Sequence, residues 1–296
     1  MSADHELAEE FERLRPRLFG AAYRILGVVA DAEDTVQDVW LAWSRSDRST
    51  VGDHTAYLLT ATARTALNKK RAAQRRREDY LGPWLPEPLI VDDATSDVEL
   101  ADSVSMAMMV LLETLSPLER VAYVLHEVFA LPYAEVGEAL GRSEAAARQL
   151  GSRARAHVRE RAPRQLVGRA EHRVSTQRFI EAANGGDLDA LMEQLAPDVV
   201  LVTDGGGMKR AALRPILGAA KVMRFIVGVF AKEESVGARF DVAEVNGESA
   251  VVIRDRDRRL DGIAFLTVSS RGVEAIHLVR NPVKLGALQE LPTPVE

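Results

Sequence analysis

The chain of 296 residues contains no cysteine, which excludes disulfides and thiolate chemistry. It also has no run of about 18 apolar residues, so no segment is expected to span a bilayer. Residues 1–17, MSADHELAEEFERLRPR, lack the apolar core of an export signal, and together these absences suit a cytoplasmic protein without a membrane partner. Aromatic residues make up only 5% of the chain, and every Trp and Tyr lies at or before Tyr133. The later aromatics are Phe179, Phe225, Phe230, Phe240 and Phe265. No metal-ligand spacing, Walker loop or dinucleotide fingerprint is present, so neither a metal nor a cofactor is expected; GVVADAE and DGGGMK do not fit those patterns.

What is there suffices for two or three domains, with 47% hydrophobic residues. The net charge of −6 argues against a uniformly basic nucleic-acid binder. Charge is segregated, however: bases cluster in residues 64–77 and 148–164, acids in 4–12, 31–38 and 92–102. DNA senses charge only within about 10 Å, so the distribution outweighs the sum.

Residues 131–161, LPYAEVGEALGRSEAAARQLGSRARAHVRER, carry the sharpest local signal. Val136, Ala139 and Leu140 give a short helix one apolar face, and Gly141 supplies a left-handed stop. Ser143 is an N-cap, Glu144 suits the first turn, and Ala145 to Ala147 favour a second helix. That helix carries Arg148, Gln149, Ser152, Arg153, Arg155 and Arg159. Two short helices about a Gly turn, the second rich in Arg and Gln, form the pattern that lays a recognition helix in the major groove. Arg and Gln read base edges there, while other arginines meet phosphates. On spacing alone a solvated basic helix packed on a bundle fits as well.

Upstream, Leu7, Phe11, Leu14, Leu18, Tyr23 and Leu26 share a helical face, with a kink or break expected at Pro16. In residues 31–43, Val36, Val39, Trp40 and Trp43 form an apolar stripe behind Asp31, Glu33, Asp34 and Asp38. Those acids either cap a helix or face a basic partner. Residues 44–54 are polar and turn-like; residues 57–77 return to a helix that ends in dense positive charge, with Arg64, Asn68 and Lys69 able to track a phosphate backbone.

DAEDTVQDVWLAW, HTAYLLTATARTALNKKRA and LSPLERVAYVLHEVFALPYAEVGEALGRSEAAARQLGSRARAHVRE, in that order, resemble an extracytoplasmic-function (ECF) sigma factor of bacterial RNA polymerase over residues 5–163. The resemblance implies core RNA polymerase and promoter DNA as partners. It assigns Asp31, Glu33, Asp34, Gln37, Asp38 and Trp40 to polymerase. Arg48 falls in the loop that captures a flipped −10 base; Arg64, Thr65, Asn68 and Lys69 fall on the helix that reads the −10 strand. Arg148, Gln149, Ser152 and Arg153 fall on the −35 recognition helix. Arg64 stands where many relatives carry Asn, and Tyr57 replaces a common Trp.

Residues 80–95, YLGPWLPEPLIVDDAT, read as an extended Pro-rich linker. Trp84 and Leu85 are costly to leave in water and are expected to dock. WLPEP, Trp84, Leu85, Pro86, Glu87 and Pro88, resembles the linker of the sigma group with an added SnoaL-like domain. Amphipathic helices are expected over residues 98–115 and 118–129, the second opened by Ser116-Pro117.

Beyond Gln165, helices over residues 179–183 and 188–195, a strand from APDVVLVTD, a helix over residues 217–230 and alternating strands broken at Asn246-Gly247, Asp261-Gly262 and Arg271-Gly272 suggest an α+β cone. FIEAANGGDLDALMEQLAPDVVLVTDGGG resembles a SnoaL-like domain. Asp204, Gly205, Gly206 and Gly207, with Asn281, Pro282, Lys284 and Leu285, match that sigma group's internal and terminal motifs, although Val283 replaces a usual Asp and Met208 precedes Lys209. These residues and the linker are expected to be interdomain-regulatory. The cone leaves a small-molecule ligand as a candidate partner.

The chain therefore reads as two all-α sigma domains, the second with a helix-turn-helix, followed by an α+β SnoaL-like cone. The boundaries are region 2 at 1–80, a linker at 81–97, region 4 at 98–163, the cone at 170–285 and a tail at 286–296. The expected function is promoter-directed initiation regulated in cis by the cone; a one-component DNA-binding regulator with a ligand-sensing cone is the alternative. Catalysis is not expected: Asp204 or His277 could serve as base, but no Tyr follows Tyr133 to supply an oxyanion donor.

Overall fold

The computed structural model describes residues 3–47, 51–77, 80–90, 105–163, 165–230 and 237–289, which fall into two compact units. Arg48 lies outside the described residues, as does most of the N-terminal half of the helix expected over 98–115.

The first unit is helical: α1 (Ala3–Leu26), α2 (Val29–Trp43), α3 (His54–Arg77), α4 (Met106–Glu113, whose first residues group with the second unit), α5 (Pro117–Tyr123), α6 (Tyr133–Leu140) and α7 (Glu144–Arg161). Of the kink or break expected at Pro16, the break is absent: α1 runs through the proline. Phe11, Leu18, Ala21, Ala22 and Ile25 are all buried on one side. Burial of a Phe or Leu side chain is worth roughly 1.5–3 kcal/mol each, which offsets the roughly 3 kcal/mol cost of an interior proline. α5 opens on a capping box in which Ser116 and Glu119 satisfy each other's backbone N–H groups, and Pro117 fills the first turn. The expected helix over 118–129 instead widens into a single π-helical turn, Val124–Val128. The helix-turn-helix forms as its sequence indicates: Gly141 has φ 62°, and the Ser143 side chain accepts from the Ala146 N–H.

The second unit includes residues 80–96 and 163–296. Helices α8 (Arg169–Gly185), α9 (Leu188–Gln194) and α10 (Ala219–Phe230) accompany strands β1 (Leu195–Asp204), β2 (Ile216–Leu217), β3 (Arg239–Val245), β4 (Glu248–Arg254), β5 (Leu260–Ser269) and β6 (Gly272–Val279). The sheet order is β2-β1-β6-β5-β4-β3, and all pairs are antiparallel except β1 with β6. Phe179, Ile180, Leu191, Leu201, Val222, Leu266 and Ile276 form the core between helices and sheet. The helix expected from Leu217 starts at Ala219, because Ile216 and Leu217 pair with β1.

The turn expected at Asp261-Gly262 is not there; both residues lie within β5. The reversal falls at residues 255–259, where the Asp255 carboxylate accepts from the Asp257 and Arg259 N–H groups at 2.9 Å. A side chain carboxylate that closes its own turn outcompetes the Asp-Gly pair. Gly262 serves instead to admit its neighbours, since a Cβ there would sit 3.1 Å from the Arg280 side chain.

Candidate DNA and polymerase surfaces and the linker clamp

On α2, Glu33, Asp34, Gln37 and Asp38 are exposed, beside the exposed apolar Leu41. Asp31 is half-buried in the first turn. Trp40 is half-buried with its ring 4.9 Å from Phe11, so it fixes α2 on α1 as well as presenting an edge. Glu33 pairs with Arg15 at 2.8 Å and Asp38 with Lys69 at 2.8 Å. On α3, Arg64 and Asn68 are exposed, Thr65 and Lys69 half-buried. Arg64 donates to the Glu138 carbonyl of α6 at 3.0 Å. Thus α3 touches the first helix of the helix-turn-helix.

A buried ionic group joins the same parts. Lys70 of α3 reaches both carboxylate oxygens of Glu113 at 2.9 Å, and Arg120, fully buried, donates to Glu113 and to the Arg24 carbonyl at 2.5 Å. Burial lowers the Arg24 guanidinium to about 10. On α7, Arg148, Gln149, Ser152 and Arg153 all face solvent. Arg148 is held by Glu144 at 2.5 Å and Arg153 by Glu119 at 3.1 Å, so both guanidiniums are oriented by carboxylates, that of Glu144 exposed and that of Glu119 half-buried.

The second unit holds the linker. Asp204, at the end of β1, is fully buried. It accepts from Lys284 Nζ at 2.7 Å, the Tyr80 hydroxyl at 2.5 Å, and the N–H groups of Leu85 and Gly206 at 2.9 and 3.0 Å. Lys284 also donates to the Leu85 carbonyl and lies 4.0 Å from the centre of the Trp84 ring. Asn281 donates to the Tyr80 hydroxyl at 2.9 Å and accepts from the Val283 N–H at 3.0 Å.

The glycines permit this. Gly206 and Gly207 have φ 60° and 74°, and a Cβ on Gly206 would fall 2.4 Å from Asn281. Leu85, Pro86, Pro88 and Leu285 are buried, Trp84 and Glu87 half-buried, and Pro282 exposed. At the two departures from the motif the side chains face solvent, Val283 being 72% and Met208 57% exposed, and Lys209 reaches Asp261 at 2.9 Å. The structure thus brings Trp84, Leu85, Asp204, Gly206, Asn281 and Lys284 into one cluster.

Sequence reasoning missed three partners. Tyr80 and the Asn246 amide are linker ligands: Asn246 donates its N–H to the Leu89 carbonyl at 2.7 Å and accepts the Leu89 N–H at 2.9 Å. Glu248 accepts the Met106 N–H at 2.6 Å. Burial lifts the Glu248 carboxyl to about 7, the Met106 bond opposing and the Glu244 charge assisting. Asn246-Gly247 could be read only as a turn, because nothing local marks a turn as a docking point.

His277 is buried and held neutral, lowered to about 4 by desolvation, and its Nδ1 has no partner among the described residues. It is therefore a buried but incompletely satisfied histidine. Neither His277 nor Asp204 lines the apolar cavity of about 110 Å³ inside the cone. Among the described residues, no group of three or more His, Asp and Glu is placed to hold a metal, and no helix is long and apolar enough to cross a membrane.

Residues 11–76 match Sigma-70 region 2, residues 105–158 match Sigma-70, region 4, and residues 176–276 match the SnoaL-like domain family. The chain is 45% identical to the ECF RNA polymerase sigma factor SigJ of Mycobacterium tuberculosis over 81% of this chain and 78% of the relative. It is 31% identical to a probable ECF RNA polymerase sigma factor, SigI, of the same species over 98% of each chain. The crystal structure of Mycobacterium tuberculosis SigJ superimposes with a TM-score of 0.76 at 37% identity, covering 98% of this chain and all of the other. With helical region 2 and region 4 elements, a helix-turn-helix and a cone with a mixed six-stranded sheet, the chain belongs to the ECF sigma factors that carry a SnoaL-like domain.

Proposed function

We propose that this chain directs core RNA polymerase to promoters and that its cone regulates initiation by holding the linker. In this reading Asp31, Glu33, Asp34, Gln37, Asp38 and Trp40 bind polymerase; Arg48, Arg64, Thr65, Asn68 and Lys69 meet the −10 element; and Arg148, Gln149, Ser152 and Arg153 meet the −35 element. The cytoplasm, where polymerase works, is its place of action. The cone acts without catalysis: Asp204 is consumed by four donors, and His277 lies outside the cavity.

The observation that carries the regulatory part is the burial of the linker's own backbone and side chains around Asp204 and Lys284. Released, residues 80–106 could span about 90 Å as extended chain. Held by Asp204, Asn246 and Glu248, they cannot separate the elements on either side. The Arg64 bond to Glu138 and the Lys70, Glu113 and Arg120 group then favour a closed free state. Exposed contacts such as that of Arg64 are worth at most about 1 kcal/mol and yield to DNA, whereas the buried group must be displaced by polymerase.

The test is initiation in vitro by core polymerase with the full chain over a promoter library. Promoter-specific transcripts are expected. No transcript, together with two-fold symmetric protection of duplex DNA by the chain alone, would assign it to the one-component regulators instead.

A further inference from the structure

The π-helical turn Val124–Val128 has no part in the surfaces described above, yet turns of this kind are rare and concentrate at functional sites. It carries His126, whose Nδ1 lies 2.8 Å from the Leu131 carbonyl oxygen. A carbonyl only accepts, so Nδ1 holds the proton and the ring is fixed in place. That ring stacks on Tyr133, with centroids 3.9 Å apart and planes 25° from parallel. Glu127, the next residue of the turn, pairs with Arg155 of α7 at 3.3 Å. The turn therefore braces both Tyr133 and the second helix of the helix-turn-helix.

Tyr133, the first residue of α6, is buried. It lies against Gly151 of α7, where a Cβ would fall 2.5 Å from the hydroxyl oxygen and 2.8 Å from Cε1. A side chain at 151 would therefore have to move the ring. The hydroxyl has no hydrogen-bond partner among the described residues, so the ring, not the phenol, accounts for the residue. What the ring holds is Arg148: the guanidinium lies over it, 5.4 Å from its centre, within the range of a cation–π contact. Glu144 pairs with the same guanidinium from one turn away. Arg148 is exposed, yet two partners set its direction before any DNA arrives. A free arginine samples many rotamers and loses that freedom on binding; a restrained one loses less and meets one base rather than several.

We infer that Tyr133 is a positioning residue for promoter recognition: seated on Gly151, it sets which base of the −35 element Arg148 reads. The inference rests on the assignment of Arg148 to the −35 element proposed above and names what aims it. Tyr133 is buried and need not touch DNA; it acts through Arg148. A cation–π contact at an exposed guanidinium accounts for about 5-fold in selectivity, which is about 1 kcal/mol at about 1.4 kcal/mol per tenfold.

The test is transcription by core polymerase with the full chain, in competition among promoters that differ by single bases across the −35 element. Arg148→Ala locates the base that Arg148 reads, by a loss of discrimination confined to one position. At that position Tyr133→Leu and, independently, Gly151→Ala are each expected to lower discrimination about 5-fold, with preference elsewhere in the element unchanged. Gly151→Ala keeps the aromatic core residue and favours the helix, so it displaces the ring without unfolding the domain. Tyr133→Phe is expected to match wild type within about 2-fold, because the hydroxyl has no partner among the described residues. Added to Gly151→Ala, it is expected to restore part of the discrimination by removing the closest clash. If Arg148→Ala acts at one position while Tyr133→Leu and Gly151→Ala leave that position intact, or lower preference equally at all positions, the inference is overturned and the −35 assignment stands. A uniform effect of Arg148→Ala overturns the assignment itself, and the positioning role with it.

Discussion

Replacing Lys284 by Met keeps a flexible apolar stem and removes one charge from a fully buried pair. Asp204 has no exposed surface, and its nearest cation is lost at 2.7 Å. Removing one partner of a buried ion pair costs about 3–5 kcal/mol. Three donors remain, from Tyr80, Leu85 and Gly206, which places the loss near the lower end of that range. The cation over Trp84 at 4.0 Å adds up to about 2 kcal/mol where it is desolvated. When the linker leaves, Asp204 regains water, so the penalty falls on the held state alone. A shift of about 3 kcal/mol corresponds to roughly 100-fold in the held-to-released ratio. Exchange of the Leu85 amide should therefore quicken about 100-fold while amides in the β5–β6 ladder change little. Asp204→Asn in the same chain should recover part of the loss, because the orphaned charge is gone. Unchanged Leu85 exchange in Lys284→Met would refute the reasoning and make the ion pair incidental.

Glu248 and His277 oppose each other in pH. The Glu248 carboxyl is raised to about 7, so its contribution is complete below its ordinary value of 4.5 and is lost as pH rises towards 7. His277 is lowered to about 4, so its contribution is complete above 6.5 and is lost as pH falls towards 4. Protection of β5–β6 amides in Glu248→Gln should fall with acid, and in His277→Leu should fall with alkali between pH 4.5 and 7; parallel profiles would disprove the assignment. Glu113→Gln leaves Lys70 and Arg120 facing a neutral group and should open the helical unit. Since the chain has no cysteine, Gln37→Cys and Arg159→Cys give two unique dye sites, and a longer mean distance in the Glu113→Gln background is the expected readout. Gln149→Ala should relax base preference within the −35 element by about 1–3 kcal/mol, measured by competition among single-base promoter variants; equal loss on all sequences would mean a backbone contact instead.

Local chemistry made much of this molecule legible. Ser116, Gly141 and Ser143 mark helix ends whose caps form as read, because capping is settled by residues three or four apart. The cone's strands follow from alternation, and the cluster of Asp204, Lys284 and the linker followed from motif resemblance. What failed was non-local. Pro16 lies within a helix because distant apolar neighbours hold both halves, and Asp261-Gly262 looked like a turn until Asp255 proved the better turn-former. Tyr80, Asn246 and Glu248 gave no signal, since each gains its role from a partner more than 120 residues away. The buried contact of Lys70 with Glu113 was hidden inside a run of bases that reads as solvated.

The central claim, that the cone governs a sigma factor through its grip on the linker, is tested most directly by promoter-specific transcription with core polymerase using the wild-type chain and Lys284→Met at equal concentration. The account predicts more transcript from Lys284→Met, at the same start site and with core binding retained. Equal or lower yield from a folded variant whose Leu85 amide exchanges faster would contradict it.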